Sequence, residues 1–288
     1  MTKEEFQKLA EKAILLDGAT GSNLFVMGMP RGICSEEWIL HHPDVLVELQ
    51  KAYVEAGSQI LCAPTFGENR FNLSSHGLGA QVEEMNHELV KISKKAVDGK
   101  AYVAGDVTAI VKMIGMSPEA TYEKAMERYK EQMRYLVDAG VDVILMETMT
   151  SMDEAMAALE AAQQVCDLPV LCSMTIDADG SIYAGGHIFE AAETLQEMGA
   201  DAVGINCSVG PEQLVSIVEG LNQRLHIPMI VKPNAGMPKI SDTGEASYDM
   251  TPERFGRSMK VLLEKGAKIV GGCCGTTPDY IRELKKII

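Results

Sequence analysis

The sequence lacks the features of several large classes of protein. In its 288 residues no apolar run reaches the roughly 18 residues of a membrane-spanning helix, and the acidic N-terminus lacks the apolar core of a signal peptide. No run of lysine and arginine exceeds two residues, and the formal net charge of −15 repels phosphate backbones. We therefore expect a cytoplasmic protein that binds neither membranes nor nucleic acid.

Aromatic residues are also scarce. The chain has one tryptophan and six phenylalanines, and they form no cluster along the sequence that would build an aromatic cage. The G-x-G-x-x-G fingerprint of dinucleotide-binding folds does not follow the first apolar run. Seven cysteines in a reducing compartment are expected to be packing, metal-binding or catalytic residues rather than disulfides.

What the sequence does contain is a repeated pattern of short apolar runs, each followed by a helical stretch. Such runs are typical of parallel strands buried on both faces, and their alternation with helices indicates an α/β fold. The phrases EAGSQIL, DAGVDVI, EMGADAV and EKGAKIV repeat one junction, in which a helix ends at a glycine before the next strand. The eight runs cover residues 13–18, 58–65, 101–107, 141–148, 169–176, 201–208, 228–235 and 267–274.

Eight strand–helix units could close into a barrel or open into a doubly wound sheet. Their number and the chain length favour a (β/α)8 TIM barrel, which typically takes about 250 residues. We find no domain boundary, so residues 1–288 are predicted to form one domain. The longest irregular stretches are 26–35, 108–117, 177–187 and 236–250, and they follow alternate strands on the side where a barrel builds its active face.

Polar and reactive residues gather at the carboxyl ends of the predicted strands, which meet at one mouth in a barrel. The strongest local signal is GGCCGTTP at 271–278, where adjacent cysteines could be two soft ligands, a redox pair or chance core residues. Cys207 would bring a third thiol, and three thiolates with one open position are typical of a catalytic zinc site. The strand-end residues are Asp17, Thr65, Asp106, Glu147, Asp177, Asn206, Cys207, Asn234, Cys273 and Cys274.

A zinc ion with three thiolate ligands favours sulfur chemistry. A free thiol has a pKa of about 8.5 and is mostly protonated at neutral pH, whereas a thiol that binds zinc loses its proton. Three thiolates give the site a net negative charge, which makes it a poor Lewis acid towards carbonyls but leaves an added thiolate nucleophilic. The other cysteines are interpreted as packing residues, namely Cys34, Cys62, Cys166 and Cys172.

Four segments resemble motifs of the homocysteine S-methyltransferase family, and above all the homocysteine module of cobalamin-dependent methionine synthase. They are LLDGATGSNL at 15–24, GINCSVGP at 204–211, KPNAG at 232–236 and GGCCGTTPDYI at 271–281. The resemblance runs from about residue 10 to the C-terminus. It implies a (β/α)8 barrel that holds Zn²⁺ on Cys207, Cys273 and Cys274. It also implies that homocysteine binds this zinc through its thiolate and is methylated to methionine.

The resemblance further implies which residues hold the amino acid end of homocysteine. These are Asp17, the backbone of Gly18 and Ala19, and Glu147, which is also implied as a catalytic residue. Glu147 can pair with the substrate ammonium, and a glycine turn offers N–H groups to its carboxylate. Asn234 is implied as a polar wall or as a fourth ligand when no substrate is bound. In the alternative, Asp17 caps a turn and Glu147 pairs with a lysine or arginine at the rim.

The methyl donor is left open by the sequence. Gly67 follows Thr65 and Phe66, at a position where the betaine enzymes of the family resemble one another in having a tyrosine. Because the sequence also offers no cluster of aromatic residues for a cage, betaine is disfavoured as the methyl donor. A methylated corrinoid on a separate protein and a sulfonium such as S-methylmethionine or S-adenosylmethionine stay open as donors. Two other functions also stay open: methylation of another thiol or selenol, and a non-catalytic module that binds zinc or homocysteine.

Overall fold

A parallel β-barrel organises the computed structural model, which describes residues 1–110, 121–241 and 246–288. Each predicted apolar run contains one barrel strand, and β4 alone extends one residue beyond its run. A short antiparallel hairpin, β8 (Lys239–Ile240) with β9 (Ala246–Ser247), lies in the predicted irregular stretch 236–250. The barrel strands are β1 (Ile14–Leu15), β2 (Ile60–Cys62), β3 (Tyr102–Val107), β4 (Val143–Met149), β5 (Val170–Met174), β6 (Ala202–Cys207), β7 (Met229–Pro233) and β10 (Ile269–Val270).

The strands follow chain order around the barrel. From β2 to β7 each strand pairs with the next one in sequence, β10 pairs with both β7 and β1, and all these pairings are parallel. Parallel strands joined by crossover helices give the nearly closed (β/α)8 TIM barrel that the sequence predicts. The part of the predicted irregular stretch 108–117 that begins at residue 111 lies outside the described residues.

Helices cover the outside of the barrel. Within the described residues none of them is long and apolar enough to cross a membrane. The first helix has a different place, because Phe6 is fully buried in one cluster with inward-facing strand residues such as Ile14 and Ile269. The helices are α1 (Lys3–Leu9), α2 (Gly21–Val26), α3 (Ser35–His41), α4 (Pro43–Ala56), α5 (Arg70–Ser75), α6 (Val82–Val97), α7 (Tyr122–Asp138), α8 (Met152–Val165), α9 (Ile188–Glu197), α10 (Val215–Asn222), α11 (Pro252–Glu264) and α12 (Pro278–Lys285).

The four repeated helix–strand junctions share one backbone conformation. Gly57, Gly140, Gly199 and Gly266 have φ angles of 110°, 87°, 92° and 113°. A residue with a side chain rarely adopts this left-handed region, so glycine ends the helix and turns the chain back towards the barrel. The prediction that a glycine closes each of these helices is confirmed.

The barrel closes between β1 and β2 through a backbone hydrogen bond and side-chain hydrogen bonds rather than through a strand ladder. The Gln59 N–H donates to the Leu15 carbonyl at 2.7 Å, and the Gln59 side-chain oxygen accepts from the Leu15 N–H at 3.0 Å. One level higher, the Asp17 carboxylate accepts from the Cys62 N–H at 2.8 Å. Side-chain oxygens of Gln59 and Asp17 therefore take the place of backbone acceptors that a regular β1–β2 ladder would supply.

Candidate metal and substrate site

Three thiols converge at the carboxyl ends of β6 and β10. The sulfur atoms of Cys207, Cys273 and Cys274 all lie within 4.8 Å of one another, and those of Cys207 and Cys274 are 4.0 Å apart. With Zn–S bonds of about 2.3 Å, a tetrahedral site has its sulfurs about 3.8 Å apart. The structure thus brings the three sequence-predicted ligands together at nearly the spacing that zinc needs, and their role as ligands stays a prediction.

Strand β7 supplies the backbone that aligns these cysteines. Pro233 pairs in register with Cys207, and its carbonyl accepts the Cys273 N–H at 2.8 Å. Asn234 is the next residue, is only 3% exposed, and its Oδ1 atom has no hydrogen-bond partner in the described part of the chain. A buried amide oxygen without a partner among the described residues, directly after this pairing, is an acceptor that a ligand at the site could use.

The site also concentrates backbone strain. Thr148, Cys207 and Ser208 have φ angles of 57°, 61° and 60°, a left-handed region that costs residues with side chains of order 1–3 kcal/mol each. Asn206 holds one of them in place, because its Oδ1 accepts the Thr148 N–H at 2.7 Å and its Nδ2 donates to the Thr148 hydroxyl at 2.8 Å. Asn206, which directly precedes Cys207, therefore fixes Thr148, the residue that follows Glu147.

A buried lysine joins the two carboxylates that the sequence predicts for substrate binding. The Lys232 ammonium donates to Glu147 Oε2 at 2.7 Å and lies 3.6 Å from Asp17 Oδ1 and 3.5 Å from the Cys62 sulfur. Lys232 is 3% exposed, and it comes from the interior strand β7 rather than from the rim. The alternative pairing of Glu147 with a lysine is thus present in the structure, and its contact with a substrate ammonium stays a prediction.

The cluster around Lys232 is acidic overall. Asp106 is also buried, and ligand atoms of Cys62, Asp106 and Glu147 lie within 4.8 Å of one another. Burial raises the pKa of Asp17 and, together with nearby Glu147, raises the pKa of Asp106 well above its usual range. Burial acts to lower the pKa of Lys232, but its acidic neighbours outweigh this and raise that pKa well above its ordinary value. One ammonium therefore faces three carboxyl groups.

The turn after β1 packs tightly against the cysteine segment. A Cβ atom on Gly18 would lie 2.6 Å from the Tyr53 hydroxyl and 2.8 Å from the Thr276 hydroxyl, so only glycine fits there. The Thr276 hydroxyl accepts the Ala19 N–H at 3.1 Å and donates to the Cys273 carbonyl at 2.7 Å. The Ala19 amide, predicted to bind the substrate carboxylate, therefore already has a partner that a substrate would have to displace.

Tyr248, between β9 and α11, was missed by the sequence analysis. Its ring covers Gly275, where φ is 82° and any Cβ would collide with the ring. Hydrogen bonds lower the pKa of Cys274 to about 3. The thiols of Cys207 and Cys273 contribute most to this shift, and the Tyr248 hydroxyl contributes less. The only available signal was an aromatic residue in the loop after the seventh predicted strand.

Comparisons with known proteins agree with this architecture. A family model described as homocysteine S-methyltransferase matches residues 14–288. The methionine synthases of Mycobacterium leprae (strain TN) and Mycobacterium tuberculosis (strain ATCC 25618 / H37Rv) are each 29% identical in sequence to this chain. The matches cover 96% of this chain but only 24% of the length of each methionine synthase. Two crystal structures of the homocysteine methyltransferase MmuM from Escherichia coli are 22% identical and share the fold. The metallated form has a TM-score of 0.81 and covers 96% of both chains, and the oxidized form has a TM-score of 0.79 and covers 95% of both. The chain belongs to the homocysteine S-methyltransferase family.

Proposed function

We propose that this protein transfers a methyl group to the sulfur of homocysteine and forms methionine, with Zn²⁺ held by Cys207, Cys273 and Cys274. The observation that carries the proposal is the convergence of these sulfurs within 4.8 Å at the barrel mouth, in a chain of this family. We further propose that residues 1–288 act as one domain in the cytoplasm, where seven free cysteines would stay reduced.

The residues present fit the metal. Three soft donors at near-tetrahedral spacing select zinc over magnesium or calcium, and they leave one position open for a substrate sulfur. A Zn²⁺ ion held there would supply the chemistry that keeps the homocysteine sulfur deprotonated at neutral pH. Tyr248 and Thr276 support the ligand segment, since one hydrogen-bonds Cys274 and the other holds the Cys273 carbonyl.

The acidic cluster suits the amino acid end of the substrate. Two carboxylates, on Asp17 and Glu147, pair with the single ammonium of Lys232, so an additional ammonium would balance the charge of the cluster. Glu147 uses one oxygen for Lys232, and we expect its second oxygen to accept the substrate ammonium. These groups would fix the carbon chain of homocysteine so that its sulfur reaches the three cysteines.

The transfer itself asks little acid–base chemistry of the chain. The homocysteine thiol gives its proton to solvent on binding, and a sulfur electron pair then forms the new S–CH₃ bond. The bond between the methyl group and the donor breaks, and its electron pair stays with the donor. The chain's task is therefore to bind, align and shield the reactants, which is work that pre-positioned groups at a barrel mouth perform well.

The rim of the mouth supports a large methyl donor. Apolar side chains are exposed in the segments after several strands, with exposed fractions of 38% for Phe25, 88% for Val26, 89% for Tyr183 and 47% for Met237. These side chains lie on the segments after β1, β5 and β7, and exposed apolar side chains at a barrel mouth can contact a bound partner. We therefore propose a methylated corrinoid carried by a separate protein as the donor.

Methyl transfer from methylcobalamin tests the function and the donor together. Zinc-loaded protein is mixed with methylcobalamin, with and without homocysteine, and the absorbance of the corrinoid and the formation of methionine are followed. Cys273→Ser should lose both zinc and turnover. Cys166→Ser should keep them, because Cys166 is a half-buried thiol that hydrogen-bonds the Ala162 carbonyl away from the site.

Each outcome separates one hypothesis from the others. Turnover with S-methylmethionine or S-adenosylmethionine but not with methylcobalamin would replace the corrinoid by a sulfonium donor. Faster methylation of another thiol or of a selenol would replace homocysteine as the acceptor. Homocysteine binding without turnover on any donor would leave a non-catalytic module, and full activity of a zinc-free Cys273→Ser variant would refute the metal's role.

A further inference from the structure

A second group of metal-ligating side chains lies outside the site described above. Cys34 directly precedes α3, Glu36 lies in the first turn of that helix, and Glu68 lies in the loop after β2. One ligand atom from each of the three lies within 4.8 Å of the others, and the Cys34 sulfur is 3.7 Å from Glu36 Oε2. The group shares no residue with the three-cysteine site.

Glu68 is the unusual member of this group. Its side chain is fully buried, and neither carboxylate oxygen has a hydrogen-bond partner among the described residues. The charge that acts on it is another carboxylate, that of Glu36. A buried carboxylate is costly unless it is paired with a cation, hydrogen-bonded or bound to a metal. Among the described residues Glu68 has neither a cationic partner nor a hydrogen bond to its carboxylate.

The spacing and the donor types suit a borderline-soft divalent cation. Zinc binds thiolate sulfur at about 2.3 Å and carboxylate oxygen at about 2.0–2.2 Å, so ligand atoms around it lie about 3.5 Å apart. The observed 3.7 Å between Cys34 and Glu36 is close to that value, and small side-chain rotations would bring in Glu68. A thiol among the donors disfavours magnesium and calcium. Glu36 is partly exposed, which leaves a path for the ion from solvent.

We propose that Cys34, Glu36 and Glu68 form a second cation site, for Zn²⁺, independent of the three-cysteine site. An ion there would connect the segment after β1 with the loop after β2, both of which border the barrel mouth. Its function would be structural, because it would hold two segments of the active face at a fixed distance. The sequence interpretation of Cys34 as a packing residue would then be incomplete.

A neutral cluster is the competing explanation. Burial, with Glu36 nearby, raises the pKa of Glu68 to about 8, and burial raises the pKa of Cys34 to about 11. Both groups would then carry protons at neutral pH, and Cys34 would donate its proton to Glu36 in a hydrogen bond. This explanation predicts that no metal binds there.

Metal counting on the full-length protein decides between the two. Metal-free protein in a non-thiol reductant is loaded with excess Zn²⁺, freed of unbound metal by gel filtration, and analysed for zinc per chain. We expect two zinc ions in the unchanged protein and one in Cys34→Ser. Cys273→Ser should also hold one, because the second site is left intact. Loading with Co²⁺ should give a thiolate-to-cobalt absorption band in the Cys273→Ser variant. This band should be absent from the double variant that carries both Cys273→Ser and Cys34→Ser.

The carboxylates provide the matched comparison. Glu36→Gln should release the second zinc ion, whereas Glu37→Gln, at the exposed neighbouring position of α3, should keep it. Glu68→Gln is the more direct variant, and Glu36→Gln keeps the test valid if the buried substitution prevents folding. A single zinc ion in the unchanged protein, or an unchanged zinc content in both Cys34→Ser and Glu36→Gln, would overturn the proposal.

Discussion

Replacing Lys232 with methionine should destabilise the protein strongly at neutral pH. The ammonium is almost fully buried, 2.7 Å from Glu147 and 3.6 Å from Asp17. Removing one partner of a buried ion pair typically costs about 3–5 kcal/mol, because the other charge is left without compensation. That is a loss of roughly 10²- to 10⁴-fold in the ratio of folded to unfolded protein. Methionine keeps a similar length, so the loss reflects charge rather than an empty cavity.

The loss should depend on pH with a definite sign. Burial raises the pKa of Asp17 above its ordinary value of 3.8, and Lys232 acts against this. Without Lys232 the folded-state pKa of Asp17 rises further. As the pH falls, the folded variant therefore takes up a proton at a higher pH than the unfolded chain does. A carboxyl group whose pKa is raised in the folded state destabilises that state at high pH. The destabilisation decreases as the pH falls towards the pKa that the group has in the unfolded chain. The deficit of Lys232→Met should therefore narrow from about pH 8 to about pH 5.5.

Urea unfolding at these two pH values measures the deficit. The fluorescence of Trp38, the single tryptophan, and far-ultraviolet circular dichroism should report the same transition. Lys260→Met, at an exposed position of α11, is the matched control and should change the free energy of unfolding little. A deficit under about 1 kcal/mol, or one that is equal at both pH values, would show that the carboxyl groups do not depend on this ammonium.

Three further substitutions test the supports of the site. Asn206→Ala removes the bonds that hold Thr148, so the free energy of unfolding should fall by about 2–3 kcal/mol in urea and the KM for homocysteine should rise; an unchanged KM would contradict a positioning role. Tyr248→Phe should weaken zinc binding by about tenfold in a chelator competition, and equal affinities would show that its hydroxyl does not support Cys274. Gly271→Ala places a Cβ atom 2.7 Å from the Asp17 carbonyl oxygen, so we expect a loss of about 1–3 kcal/mol and a lower Tm, and a fully stable variant would mean that β10 shifts freely.

Much of the fold could be predicted because its signals are local. Each barrel strand is a short apolar run, and each repeated junction needs a glycine with positive φ, so single stretches of sequence determine them. The convergence of Cys207 with Cys273 and Cys274 also follows once eight parallel strands are counted, since their carboxyl ends must meet. The short hairpin after β7 was not predicted, because its two-residue strands, unlike β1 and β10, lie outside any apolar run.

Contacts across the barrel interior could not be predicted in the same way. Lys232 stands alone in an apolar run, which hints at a buried charge, but its partners are 85 residues away at Glu147 and further at Asp17. Tyr248 reaches Cys274 only because the segment after β7 folds back over the mouth. Cys34 and Glu68 belong to different segments, and nothing in either segment indicates the other.

The seam between β1 and β2 gives Asp17 two tasks. Its Oδ2 atom accepts the Cys62 N–H and so completes the closure of the barrel, while its Oδ1 atom faces Lys232 in the charged cluster. The integrity of the barrel wall is therefore coupled to the charge state of its interior. A molecule that draws Asp17 away from the Cys62 N–H would loosen the wall at this seam. Amide hydrogen exchange along β1 and β2 would then report occupancy of the pocket from the opposite side of the wall.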